Sequence, residues 1–342
     1  MAAANIDLAV LQKNGISQDE YWSRRILEMI KLEKENFVFT NLGTNVVIPL
    51  HEGTKTFTVR RYNHLPCDSA TAFKLTEGVT PTGLKPEAQK VSGVVNQYGV
   101  VMEETDVAAD VHFDNIKNIY QPELARHAAE VIERNIVESF TDASEYYVGV
   151  GNTKADDIAA DDKLTFKDLR TVALTMQNYN RKGHKKYNGK FVTVMHPNVM
   201  NDLLDDSVLV NNLLVPGNEN GPMKQGSLMK YMAYGMYFTD TLICPVAANA
   251  ATTPVNVYTS YVLGYDPYMV ISLGSNNVKF FDTGFTADKA DPLAQKATFG
   301  YKLWTGAKIT DPMAITKVYS ACSYDVVADF TDDDLGRAAA QS

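Results

Sequence analysis

The chain has 342 residues, 45% apolar and 21% charged, with 41 Asp and Glu against 32 Lys and Arg and a formal net charge of −9. That composition is ordinary for a folded protein and argues against disorder. The acidic balance, with no basic stripe, excludes tight salt-dependent binding to a phosphate backbone, although enclosing DNA needs no affinity for it.

At this length one core usually stops growing, so two domains or one domain with large extensions are expected. Residues 1–16 read as an arm with no packing partner of their own. Ser17 and Glu20 form a capping box, and Trp22, Ile26, Met29, Ile30 and Phe37 share a helical face, predicting an amphipathic helix over 18–35. "NVVIPL" reads as a short strand and "EGTKTFTVRRYNHLP" as a longer one, with Phe57 and Val59 on one side and Thr56, Thr58 and Arg60 on the other. Neither side is apolar enough for a core, and from Thr54 to Leu65 such a strand extends about 40 Å. "KLTEGVTPTG", Lys74 to Gly83, carries only Leu75 and Val79 as aliphatics, and Gly78, Pro81 and Gly83 supply turn chemistry. "QKVSGVVNQYGVVMEE" then runs back as a second, Val-rich strand. The pair makes a hairpin projecting from its own subunit; pattern alone leaves open an ordinary hairpin with a disordered tip.

Thr105 and Asp106 cap a short helix, "DVAAD". The longest helical signal is "PELARHAAEVIERNIVESF", with Pro122 suited to a first turn and Leu124, Ala128, Val131, Ile132, Ile136 and Phe140 on one face. Glu130 with Arg134 and Arg134 with Glu138 are spaced as i,i+4 pairs on the other. Residues 142–162 read as a polar loop. A helix follows from Thr165 and Asp168, with Leu169, Val172, Ala173, Met176 and Tyr179 on its apolar face. "GKFVTVMHPNVMNDLLDD" predicts strand, His-Pro turn and helix, and "SLMKYMAYGMYFTDTLI" predicts helix, a stop at Gly235, and strand. Two strands around Asp266-Pro267 and two around Asp311-Pro312 close the fold, and "TDDD" opens a solvated tail. Helices and strands interleave without a βαβ rhythm, which says α+β.

No catalytic, cofactor-binding or metal site assembles from these residues, and no enzyme is expected. "GHKKYNGKF" has five residues between its glycines, ends in Phe191 and precedes a strand, whereas a phosphate loop follows one. His196 ends a buried strand at a turn with no nucleophile motif nearby, so a structural role is expected. His51, His64, His112, His127 and His184 form no metal-ligating pair. Cys67, Cys244 and Cys322 are far apart, odd in number and without CxxC spacing, which supports neither a zinc knuckle nor a disulfide framework and makes a reducing compartment the default. The N-terminus lacks a basic n-region, and no apolar run approaches the roughly 20 residues of a membrane span, so no membrane partner is expected. A projecting hairpin, a free arm and no active site describe a building block whose open surfaces are completed by neighbours.

Four stretches carry a family resemblance: "GTKTFTVRRYNHLP" with "LTEGVTP", "VNQYG" before the long helix, "HPNVMNDLLDD", and "ADPLAQKATFGYKLWTGAKI", together spanning about residues 50–320. In order and spacing they resemble the major capsid proteins of tailed bacteriophages, in particular the N-four-like coliphage branch. The resemblance implies the Hong Kong 97-type capsid fold. Residues 1–45 would be the N-arm, 46–104 the extended E-loop hairpin with its flanking strands, and 105–162 the P-domain with its long spine helix. Residues 163–283 would be the A-domain, 284–330 the return to the P-domain, and 331–342 a C-terminal tail.

The same resemblance implies copies of the chain joined as hexamers and pentamers into an icosahedral head shell around double-stranded DNA, without sequence-specific binding. The shell would be assembled in the host cytoplasm and end in the virion. A separate scaffolding protein is expected, with a portal and a decoration protein as further partners. Some capsids of this fold weld an E-loop lysine to a neighbour's asparagine, helped by a buried glutamate. Lys74, Lys85 and Lys90 lie in the right region, but no asparagine partner is recognisable, so non-covalent contact is expected. Arg60, Arg61, Lys74 and Glu77 are the inter-subunit contact candidates, with surface solvation the competing account. Charge reversal at Arg60 and Arg61 is expected to hinder assembly and leave subunit folding intact. The alternatives are an encapsulin-type nanocompartment shell, an enzyme with an unrecognised site, and a tail or decoration protein.

Overall fold

The computed structural model describes residues 38–50, 54–62, 73–78, 80, 83, 85–86, 88–111, 116–179, 191–206, 230–233, 236–251, 254–274, 278–287 and 291–323. The capping box at Ser17, the helix expected over 18–35, the basic turn at 183–190, His51, His64, His112, His184 and the tail from 324 lie outside them.

In chain order the first elements are α1 (Phe39–Leu42), β1 (Thr44–Ile48), β2 (Thr56–Tyr62), β3 (Ala88–Val94) and β4 (Asn96–Thr105). Then come α2 (Asp106–Val111), α3 (Ile116–Glu138), β5 (Ser144–Tyr147), α4 (Phe166–Tyr179), β6 (Phe191–Met195) and α5 (Pro197–Leu204). The last are β7 (Lys230–Ala233), β8 (Met236–Asp240), β9 (Val246–Ala248), β10 (Asn256–Leu263), β11 (Tyr268–Leu273), β12 (Val278–Asp282), β13 (Lys296–Ile309) and β14 (Ile315–Ser320).

The first sheet is organised on β13. One edge of this long strand pairs with β4, from Lys296↔Thr105 to Thr305↔Asn96. The other pairs with β12 over Phe299–Leu303 and then with β11 over Thr305–Ile309. Beyond β11 lies β1, parallel to it. Alternation gives the sheet two faces. Ala297, Phe299, Tyr301 and Leu303 face α3, which buries Leu124, Ala125, Ala128, Ala129, Ile132 and Ile136 against them. Each fully buried aliphatic such as Leu124 contributes about 1.5–3 kcal/mol. The three alanines leave room for the helix to lie close to the strands. α3 starts earlier than expected, so Pro122 lies inside it and not in its first turn. The cost of the missing N–H is borne by the packing of the helix's apolar face. On its exposed side Arg126 pairs with Glu130 at 3.6 Å, while the expected pairs of Arg134 do not form among the described residues.

α1 is fixed to α3 by a carboxylate. Buried Glu133 accepts hydrogen bonds from Phe39 N at 2.9 Å, Thr40 N at 2.6 Å and the Thr40 hydroxyl, satisfying two of the open amides of α1. Phe39 packs edge-on to Phe140 and Tyr261, and Tyr268 donates to its carbonyl at 2.5 Å.

The second sheet runs β5-β14-β10-β6-β8-β7, with β9 beside β10. One of its faces sends Val192, Val194, Tyr261 and Leu263 into the core shared with α3. The other carries Phe191, Met195, Tyr258 and Val262 under α4 and α5. The caps of α4 are those the sequence predicts: Asp168 accepts from Thr165 N at 3.2 Å and from the Thr165 hydroxyl. The sheets are joined by two crossovers lying side by side, β10 to β11 and β13 to β14. Gly264 N donates to Ala314 O at 2.8 Å and Thr310 N to Pro267 O at 2.9 Å.

Two expectations are corrected. Lys230–Ala233 is a strand paired with β8, not the end of a helix, because a short apolar run takes whichever pairing edge is offered. The polar stretch from 142 to 162 contains β5, which runs parallel to β14. The boundary expected between residues 283 and 284 falls between β12 and β13, which pair with each other, so the first sheet extends across it.

Candidate assembly surface

β2 and β3 pair from Thr56↔Val94 to Tyr62↔Ala88 as a two-stranded ribbon. The expectation that neither side serves a core is overturned at the ribbon's root. Phe57, Val59 and Val91 pack on Ile48, Met269 and Ile271, on the sheet face opposite α3. The approach is close enough to require glycine twice. A Cβ on Gly93 would lie 2.4 Å from Ile271 Cδ1, and one on Gly306 would lie 2.3 Å from Val94 O. The Val-rich return is also two strands and not one. It breaks at buried Val95, whose N–H donates to Lys55 O at 3.1 Å, and beyond it β4 joins the main sheet.

The contact candidates separate on this ribbon. Arg61 points inward with Phe57 and Val59, and its guanidinium meets Asp311 Oδ2 at 2.6 Å. Asp311 is buried in the β13–β14 crossover and also accepts from Met313 N at 3.1 Å. Arg61 therefore ties the ribbon to its own subunit, and reversing its charge is expected to disturb folding as well as any contact between copies. Arg60 lies on the outer side, directly opposite exposed Lys90. Like charges in that register repel. Lys74 and Glu77 lie in the tip, where every described residue from 73 to 86 is exposed, Phe73 at 45% and Leu75 at 71%. Gly78 takes the left-handed conformation expected of a turn, φ 79°. The structure thus brings Arg60 and Lys90 together, holds Arg61 inside, and leaves Lys74 and Glu77 without cover.

The perturbed titratable groups lie away from the ribbon. His196 caps α5, its Nδ1 accepting from Asn198 N at 3.2 Å, and burial lowers its pKa. Burial pushes the Cys244 thiol well above its ordinary value, which makes it a poor nucleophile. Tyr147 is pushed up to about 12 by burial and by donating to Glu145 at 2.6 Å. That bond, opposed by partial desolvation and joined by Lys317, holds Glu145 below the usual carboxylate range. Among the described residues no group of His, Cys, Asp and Glu is placed to hold a metal ion, and no helix is long and apolar enough to cross a membrane.

Sequence reasoning missed Asp311 and Glu133. Glu133 had a signal: a carboxylate on the apolar stripe of α3 must find partners when buried. Asp311 had none, since its partner is set by the ribbon's docking.

No protein-family model matches the sequence, and no curated protein does. Solved structures do. The capsid of Ralstonia phage GP4 superposes with TM-score 0.63 at 11% identity, covering 86% of this chain and 91% of that one. The capsid of cyanophage P-SCSP1u gives 0.60 at 15% identity, covering 84% and 89%. The capsid asymmetric unit of cyanophage Pam1 gives 0.61 at 11% identity, covering 80% and 87%. The chain has the Hong Kong 97-type fold of these phage capsid proteins.

Proposed function

We propose that this chain is the major capsid protein of a tailed bacteriophage, a structural subunit that closes an icosahedral head around double-stranded DNA. One observation carries the reading: a ribbon anchored at its root on its own sheet leads to a tip whose described residues, Phe73, Lys74, Leu75 and Glu77 among them, are exposed. The capsid fold, matched over most of the chain, supports it. Such a tip gains by burial against another copy, and interfaces of about 1,200–2,000 Å² repeated around a shell add up to a durable container.

In this reading residues 1–45 are the N-arm and the β2–β3 ribbon is the E-loop. α3 is the spine helix of a P-domain that includes the first sheet, and the second sheet with α4 and α5 belongs to the A-domain. Hexamers and pentamers form around the axial tips. A separate scaffolding protein directs closure in the host cytoplasm, a portal and a decoration protein complete the head, and the finished shell is part of the virion. The four sequence motifs favour the N-four-like coliphage branch.

The test is negative-stain electron microscopy of the full chain, expressed alone and with its neighbouring gene products. Angular shells protecting DNA from nuclease are expected. Shells holding a protein cargo and no DNA would favour a nanocompartment, and a 37.8 kDa species that never forms particles would overturn the reading.

A further inference from the structure

The parallel register of β5 on β14 sets Glu145 opposite Lys317 and Tyr147 opposite Tyr319. Alternation puts these four side chains on one face of the second sheet, opposite the face where Tyr146 and Val318 pack under α4. The two phenol rings lie 5.0 Å apart, centre to centre, with their planes 11° from parallel. Among the described residues this is the one ring contact between two tyrosines. Buried Ile158, Val257 and Ala321 pack against both rings and hold the pair in place. Both hydroxyls donate to a single carboxylate, Tyr147 to Glu145 Oε2 at 2.6 Å and Tyr319 to Glu145 Oε1 at 3.2 Å. Lys317 Nζ also meets Glu145 Oε1 at 3.2 Å and donates to Thr141 O at 3.3 Å. A stacked pair by itself braces a sheet. The shared carboxylate adds something bracing does not need, a base on each phenolic proton.

We propose that Tyr147 and Tyr319 are an oxidative coupling site, where a one-electron oxidant joins the two rings through a carbon–carbon bond. Two equivalents of oxidant take one electron from each ring, and each hydroxyl proton passes through Glu145 to water. The two phenoxyl radicals then couple at carbons ortho to their oxygens. Each coupled carbon loses its hydrogen as a proton, each oxygen regains one, and both rings recover aromaticity. The net change is two electrons to the oxidant, two protons to water and one new bond, with both hydroxyls restored. Glu145 acts as a positioned general base: removing the proton with the electron avoids a cationic phenol radical. The bond closes a loop from residue 147 to residue 319 and locks β5, an edge strand beside β14, to the sheet. It forms within one chain, so it stands apart from the shell reading.

The experiment illuminates the full chain briefly with ruthenium tris-bipyridine and persulfate, the ruthenium(III) complex being the oxidant, and digests it for mass spectrometry. The expected product joins the Tyr147 and Tyr319 peptides with the loss of two hydrogens and carries the blue fluorescence of dityrosine. Unfolding the chain in urea before illumination should lower the yield of this product at least about tenfold, because the rings are then no longer held together. Tyr319→Phe and Tyr147→Phe should each abolish it and leave the circular dichroism spectrum unchanged. Glu145→Gln keeps a hydrogen-bond acceptor but loses the base, and should lower the yield severalfold. A mixture of isotopically light and heavy chains should give the link within single chains. A yield no greater in the folded chain than in urea, or a link found mainly between light and heavy chains, overturns the site. An unchanged yield in Glu145→Gln overturns the role of the carboxylate.

Discussion

The root of the β2–β3 ribbon lays Phe57, Val59 and Val91 on Met269 and Ile271 and fixes Arg61 to Asp311, whereas the tip of the same ribbon exposes Phe73, Leu75, Lys74 and Glu77. Root residues have exchanged water for protein, and the tip has not. A substitution at the root is therefore expected to act on folding of the single chain, and one at the tip, in the proposed shell, on contacts between chains. The difference gives each end its own measurement.

The largest effect is expected at Ile271, fully buried under the ribbon. Ile271→Ala should cost about 2–5 kcal/mol in urea denaturation, with particle yield falling as a consequence. A cost below about 0.5 kcal/mol would mean that the root is not anchored in solution and would break the comparison. Gly306→Ala comes next, because its Cβ would meet backbone that cannot rotate away; about 1–3 kcal/mol is expected. Arg61→Ala leaves buried Asp311 without its guanidinium and should cost about 1–3 kcal/mol. Arg60→Glu, one residue along on the outer side, should change stability by no more than about 0.5 kcal/mol and replace repulsion with attraction towards Lys90. If Arg60→Glu also spares particle yield, the outer side of the ribbon takes no part in assembly. The smallest folding effect belongs to Leu75→Asp, again within about 0.5 kcal/mol, yet particle yield should fall severalfold. Normal shells from that variant would remove the tip from the contact.

Acid gives a control that leaves the ribbon aside. Burial lowers the pKa of His196 in the folded chain, so the unfolded chain binds more protons as pH falls. The stability it contributes is complete above the unfolded value of about 6.5 and declines as pH drops towards the lower folded value. His196→Asn, which keeps a capping side chain before Pro197, should flatten that part of the stability profile. An unchanged profile would place the acid sensitivity elsewhere.

Much of this was legible in the sequence because it is local. The apolar face of α3, the Thr165–Asp168 cap, the His-Pro junction before α5, the glycine turn at Gly78 and the period-2 sides of β2 depend on neighbours in the chain, and each stands where the pattern placed it. What the tertiary structure alone decided is where those pieces meet. Phe57 and Val59 are too few to make a core, and they became part of one only because Met269 and Ile271, far along the chain, supply the rest. Arg61 and Arg60 are adjacent and chemically equal in sequence, but the strand's alternation and the position of Asp311 give one to the subunit's interior and the other to its surface. Sequence fixes which residues share a side, since backbone periodicity is intrinsic. Which side is buried is a property of the surface brought against it, and only the folded chain supplies that.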